Sequence, residues 1–243
     1  MRWLLRVVSE LSIIGLTALL AAYLGWWAIW PAAIVIGIRL HALGVLGHLG
    51  AHRLTEFPPA LNDFITKYFV FGPLGIDLMK YRRFHGAHHN HVGVNGKDPE
   101  VIVVRHFKER WGNGYRWKDS LKDLCGMHFD EVVYVMSFMV TNRSMILTLL
   151  MLGVFGWFQP VAAATLALAP ITGFVFAHRL RAWTEHDHAN FPGQTFQQQC
   201  PAWWRRAIYL PHKTWLHYEH HLNPGTIPCE LPRDEQLVNL VRP

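Results

Sequence analysis

The chain has 243 residues, 51% hydrophobic and only 16% charged, which is one domain of ordinary size with runs too apolar for an ordinary soluble core. Gly and Pro counts of 19 and 14 exclude a collagen-like or disordered chain, and three scattered cysteines, Cys125, Cys200 and Cys229, exclude a disulfide scaffold, a CxxC zinc knuckle and a rubredoxin-type iron site. The net charge of +6 is interrupted by long apolar stretches rather than gathered on one soluble face, so it fits a positive membrane-facing side and no nucleic-acid partner.

Residues 11–30 carry no charge and reach about 30 Å as a helix, the thickness of a hydrocarbon core. A cleaved signal peptide has an apolar core of only about 7–15 residues followed by a small-residue cleavage pattern, and this stretch matches neither. Pro31 punctuates the chain and residues 32–50 form a second apolar segment, so the pair is predicted as an antiparallel hairpin. Residues 64–79 are apolar but short, interrupted by Lys67 and Asp77 and broken at Gly72-Pro73. A crossing there would put the histidines before and after it on opposite membrane faces, so the segment is expected to lie on, or re-enter, the cytoplasmic side. A second hairpin is predicted within 140–180, where two apolar stretches flank Gln159 and Pro160.

Both hairpin tips lack Lys and Arg, whereas Arg2, Arg6, the run from Lys80 to Lys122 and that from Arg179 to Lys213 fall on the other side, which the positive-inside rule makes cytoplasmic. Trp26, Trp27, Trp30, Trp157 and Phe158 cluster at the tips as an aromatic belt would. Arg39 and Arg143 are expected to snorkel or pair with polar groups, with a grip on a polar substrate group as the alternative. Gly44, Gly47 and Gly50 are expected to allow close helix packing, because their spacing is wrong for a phosphate loop. The expected fold is an all-α integral-membrane helical bundle: one domain over 1–243, about four transmembrane helices in two hairpins, and a histidine-rich cytoplasmic cap.

The 16 histidines nearly equal the 17 acidic residues, and neutral imidazole is the commonest metal ligand. His48 and His52 are spaced i, i+4, which puts both rings on one helical face. His85, His88 and His89 repeat as an HxxHH triplet in His217, His220 and His221, a spacing that converges three rings if each segment is helical. His186, just past the fourth predicted span, returns to the same side. Nine candidate ligands exceed the four of a tetrahedral site, which favours two metals, and imidazole spacing alone does not choose between iron, zinc and copper. Glu185, Asp98 and Glu219 are candidates for orienting imidazole N–H groups, with an ordinary turn before Pro99 competing for Asp98. His41 is expected as a hydrogen-bonded core histidine, with a substrate passage as the alternative. His91, His188 and His212 flank the boxes, and His106, His128 and His178 have no patterned partner, so none of these is assigned as a ligand.

These motifs resemble the integral-membrane fatty acid desaturase superfamily, whose relatives include alkane hydroxylases and carotenoid ketolases and hydroxylases. The resemblance covers most of the chain. It is carried by HLGAH at 48–52, HGAHH at 85–89, RAWTEH ending at His186 and, most specifically, HYEHHLNPGTIPCELP from His217 to Pro232. It implies a non-haem di-iron centre held by His48, His52, His85, His88, His89, His186, His217, His220 and His221, with no catalytic residue beyond these ligands. It also implies O2 as co-substrate and attack on an unactivated C–H position of a lipid, most often a fatty acyl chain, by desaturation or hydroxylation.

A carotenoid ketolase or hydroxylase is the rival within the superfamily. The rival of another class is a membrane metal transporter or metal-binding protein, which would want ionisable groups along a trans-bilayer path; only Arg39, His41 and Arg143 speak for it. Oxygen activation in the superfamily consumes two electrons per turnover, yet the sequence has no cysteine cluster, no GxGxxG fingerprint and no separate haem-sized segment. An external ferredoxin-like or haem-containing donor with its reductase is therefore expected as a partner. Lys80, Arg82, Arg83, Arg205, Arg206 and Lys213 are expected to face that donor or anionic lipid headgroups.

Overall fold

In the computed structural model the described residues are 2–111, 117–185 and 202–226. Among them the regular elements are helices: α1 (Arg2–Leu24), α2 (Ile29–Ala51), α3 (Pro59–Ile65), α4 (Leu78–His91), α5 (Pro99–Trp111), α6 (Trp117–Leu124), α7 (Phe129–Ser137), α8 (Asn142–Phe158), α9 (Pro160–Leu168), α10 (Gly173–Glu185), α11 (Trp203–Ile208) and α12 (His217–Leu222). One isolated bridge, Ile76 to Val140, is the extent of extended pairing described. Three segments are long and apolar enough to cross a membrane, 2–24, 26–51 and 160–182, and the 17-residue α8 stands at the short limit for a fourth.

The turn of the first hairpin lies at Gly25 and not at Pro31, so the expected first span, 11–30, gives way to α1 over 2–24. Gly25 takes φ +85°, a conformation open to residues without a Cβ, and a short 3-10 turn, Trp26–Ala28, leads into α2. Pro31 sits in the first turn of α2, where its missing N–H has no intrahelical partner to lose. Helix α1 buries one stripe, Trp3, Val7, Glu10, Ile14, Ala18 and Ala21, and leaves Leu5, Leu16, Leu19, Leu20 and Tyr23 exposed on the opposite face, as a lipid-facing helix would. Ala21, Ala32 and Val161 pack together, so the tips of both hairpins share one end of the bundle.

Helix α2 is the axis, buried on almost every side from Ile36 to Gly50. At Gly37 it crosses the break between α9 and α10. A Cβ on Gly37 would overlap the Ala169 carbonyl and the Phe174 amide, and one on Gly173 would overlap the Ile34 carbonyl. Nearer the histidines, the Phe71 ring occupies the space a Gly47 side chain would need, and Thr66 does the same at Gly50, whereas Gly44 meets only Leu74 at an ordinary 3.5 Å. Two of the three sequence-selected glycines thus serve close approach.

The ambiguous stretch 64–79 contains no helix that could span. The seven-residue α3 runs into a π turn, Thr66–Val70, then a 3-10 turn, Gly72–Leu74, and buried Phe71 and Thr66 hold it against the far half of α2. Asp77 then accepts the Met79 and Lys80 N–H groups, both at 2.9 Å, and starts α4. Arg82 donates to both Asp63 oxygens at 2.9 and 2.5 Å and to the Ala51 carbonyl at 2.9 Å, tying α4 to α3 and α2.

Helices α6 and α7 differ from expectation. Trp30 Nε1–H donates to the Leu124 carbonyl at 3.2 Å, so the end of α6 approaches the hairpin tips, and the basic run from Lys80 to Lys122 is not confined to the histidine end. A buried ionic group permits this: Arg179 of α10 donates to Asp123 and Glu131, each at 2.9 Å, and His128 Nδ1 lies 2.6 Å from Asp123. That contact gives the unassigned His128 a partner outside the two histidine groups described below.

Candidate metal centre

The end of α2 presents His48 and His52, α4 presents His85, His88 and His89, and α12 presents His217, His220 and His221. Eight of the nine predicted ligands converge; His186 lies outside the described residues. They form two groups, His48, His52, His85, His89 and His220, and His88, His217 and His221. Within each group one ring nitrogen per residue lies within 4.8 Å of the others. His48 Nε2 is 2.9 Å from His220 Nε2, His85 Nε2 is 3.0 Å from His52 Nε2 and 2.8 Å from His89 Nε2, and His217 Nε2 is 3.1 Å from His221 Nε2.

The donor set fits a cation. A neutral imidazole carries one N–H and one lone pair, so His85 Nε2, close to two other ring nitrogens, cannot satisfy both contacts by hydrogen bonding with a single proton. Burial, followed by the neighbouring imidazoles, holds His85 and His220 well below the usual histidine range. Burial likewise lowers His52 to about 4, with Arg82 adding to it, and His89 to about 4 beside His52 and His88. At these four rings burial favours lone pairs over protons.

Carboxylates and a phenol set the ring orientations. Asp98 is fully buried, lies 3.0 and 3.1 Å from His88 Nδ1, and accepts the Gly93 and Glu100 N–H groups at 2.8 Å each. It therefore serves both the imidazole and the turn that opens α5. With Nδ1–H donated to Asp98, His88 turns Nε2 toward the second group. Glu100, missed in the sequence, lies 3.5 Å from that Nε2, and burial pushes its carboxyl upward. Burial opposes charge on His88, but Glu100 and Asp98 outweigh it and raise the imidazole.

Tyr81, also missed, places its hydroxyl 3.4 Å from His48 Nδ1 and stacks on His85. Glu185 accepts from Arg181 at 2.6 Å and lies 3.9 Å from His217 Nδ1, with burial raising its carboxyl to about 7 against the pull of Arg181. Glu219 is buried within α12 beside these rings.

A cavity of about 140 Å³ adjoins both groups at His48, His85 and His217. Its walls are mainly apolar, with Val45, Ile76, Val103, Met136 and Phe174 among them, and His41, His178, Arg181 and Glu185 supply polar groups along it. His41 is the hydrogen-bonded core histidine expected, buried with its Nε2 3.2 Å from the Tyr209 carbonyl, and it also lines this cavity. Arg39 follows the pairing expectation: it meets buried Glu10 at 3.6 Å and donates to the Ala207 carbonyl, while His212 Nε2 lies 3.0 Å from the same Glu10. Arg143 is exposed in the first turn of α8.

The model of the fatty acid desaturase family matches residues 24–239. A chloroplastic omega-3 fatty acid desaturase of Brassica napus is 34% identical over 88 residues, which are 36% of this chain and 22% of that protein. The match thus spans about a fifth of that relative's length. No solved structure matches the chain. The helical bundle, the apolar membrane-length helices and the histidine cluster accord with the family match over most of the sequence, and the chain belongs to the fatty acid desaturase family.

Proposed function

We propose that the whole chain forms one membrane domain that acts as an oxygen-dependent di-iron oxidase, desaturating or hydroxylating an unactivated position of a lipid acyl chain. The observation that carries this is the pair of imidazole groups, five rings and three, beside an apolar cavity. Iron bound in both groups would supply the reduction of dioxygen and the removal of hydrogen from an alkyl carbon. His48, His52, His85, His89 and His220 would hold one ion and His88, His217 and His221 the other, with His186 as a further ligand of the centre. Their neutral donors leave a bound cation's charge uncompensated, which favours reduced oxygen. Asp98 fixes His88 through its Nδ1–H, and Tyr81 accepts from His48 Nδ1–H, leaving both Nε2 lone pairs inward. The apolar walls hold an alkyl chain and exclude water.

Electrons come from an external redox protein with its reductase on this reading, and the positively charged, cytoplasmic side of the membrane is where the centre lies. The structure narrows the candidate docking cations. Arg82 is engaged with Asp63, and Lys80 Nζ donates to the Val140 carbonyl at 2.7 Å, so these two serve the fold rather than a partner. Arg205 and Arg206 lie over the Trp204 and Trp215 rings on and beside α11, and on this reading they face the donor's acidic surface.

The test is lipid analysis of a host expressing wild type or His220→Ala, paired with metal analysis of the purified proteins. Wild type should carry two irons per chain and yield a new unsaturated or hydroxylated lipid, and the variant should insert normally but yield none. A single zinc per chain in active protein would sink the di-iron reading.

A further inference from the structure

Helix α4 separates two spaces. On its inner side Tyr81 and His85 face the apolar cavity, and on its outer side Lys80 and Arg83 line a shallow groove completed by Lys97, Ile102 and Phe138. Phe84 lines both. Phe84 thus stands between the surface groove and the cavity, and its ring meets Phe138 with centroids 5.8 Å apart. A change of rotamer at Phe84 would join the two spaces.

The groove is amphiphilic. Its rim carries Arg83 and Lys97 beside the fold-engaged Lys80, its floor is apolar, and no carboxylate is among its described lining residues. Its position in the bundle is also defined. Lys80 is bonded to Val140, two residues before α8, and α8 exposes Ile146, Leu149, Leu150, Val154 and Phe155 along its flank. A groove at the start of a lipid-facing helix lies at the depth of lipid headgroups. A redox protein would use the cations but not an apolar floor leading inward; an amphiphile with an anionic head uses both.

We propose that this groove binds the phosphate of a membrane glycerophospholipid, whose acyl chain passes Phe84 and Phe138 into the cavity beside the imidazole groups. The assignment rests on the cavity being the acyl site of the proposed reaction. It makes Arg83 and Lys97 headgroup ligands and Phe84 the gate.

Binding separates this from the chemistry. Tritiated dioctanoyl phosphatidylglycerol is titrated into full-length protein in neutral detergent, under argon and without reductant, for wild type, Arg83→Gln/Lys97→Gln and Phe84→Ala, each checked for wild-type helix content. The double variant should bind at least about tenfold more weakly, as expected for lost charge-assisted hydrogen bonds. Dioctanoylglycerol should bind both proteins weakly and equally, and Phe84→Ala should bind phosphatidylglycerol with a faster association rate. Equal phosphatidylglycerol affinity in wild type and double variant would overturn the headgroup site. So would stronger competition from an acyl-coenzyme A, or dioctanoylglycerol binding wild type as tightly. An unchanged association rate in Phe84→Ala would remove the gate. Lipid binding with no lipid product would count against the oxidase reading alone, and product formation with unaltered binding would count against the groove alone.

Discussion

Asp98 accepts the His88 Nδ1–H and two backbone N–H groups from a buried position, so its removal strands three donors at once. Asp98→Ala should lower iron retention about 10–100-fold in a chelator titration, the range for losing a carboxylate behind a ligating imidazole. Retention equal to wild type would reduce Asp98 to its turn. At this scale the histidines were legible because i, i+3 and i+4 spacing is a property of one helix. Tyr81 and Glu100 were not, because their roles arise only when α4 packs on α2 and α5 folds back on α4. Arg82 read as a solvated cation for the same reason, since Asp63 lies 19 positions before it.

Between elements, the crossing at Gly37 and Gly173 leaves no room for a methyl group against backbone that cannot swing aside. Gly37→Ala should destabilise by about 1–3 kcal/mol or more in thermal unfolding in detergent. Gly15→Ala, with open space around it, should be neutral or raise stability through helix propensity. The junction of α3 and α4 gives a pH test. Hydrogen bonds from Arg82 and then Arg53 hold the Asp63 carboxyl well below the usual carboxylate range, against its partial burial. A lowered folded-state value means the contribution is complete above the unfolded value of about 3.9 and is lost as pH falls through and below it. Arg82→Leu should therefore lose less stability than wild type between about pH 5 and pH 3, and parallel losses would exclude the pair. Hairpins and boxes could be read from apolar length and spacing, but the turn at Gly25 could not, because Pro31 is as compatible with a helix's first turn as with its end.

For the whole molecule, the convergence of histidines from α2, α4 and α12 requires the chain between them to return to one end. With Cys125, Cys200 and Cys229 all replaced by Ser, a Lys97→Cys protein should react with a membrane-impermeant thiol reagent only after the cytoplasmic face is opened, and labelling of intact cells at that position would refute the orientation. The approach of α6 to Trp30 escaped the sequence because the charges that read as surface residues, Asp123, Glu131 and Arg179, neutralise one another inside the bundle. The centre also unites distant parts of the chain: His212 meets Glu10 across 202 positions and His220 meets His48 across 172. At a synthesis rate of about 5–20 residues per second, α2 and α4 exist for on the order of ten seconds before α12 leaves the ribosome. In that interval His48, His52, His85 and His89 are already made, whereas the smaller group has only His88. The two histidine groups thus differ in age: a nascent chain already offers one, the other closes when the last helix docks, and on the proposed reading metal insertion in the cell would acquire an order from the direction of translation.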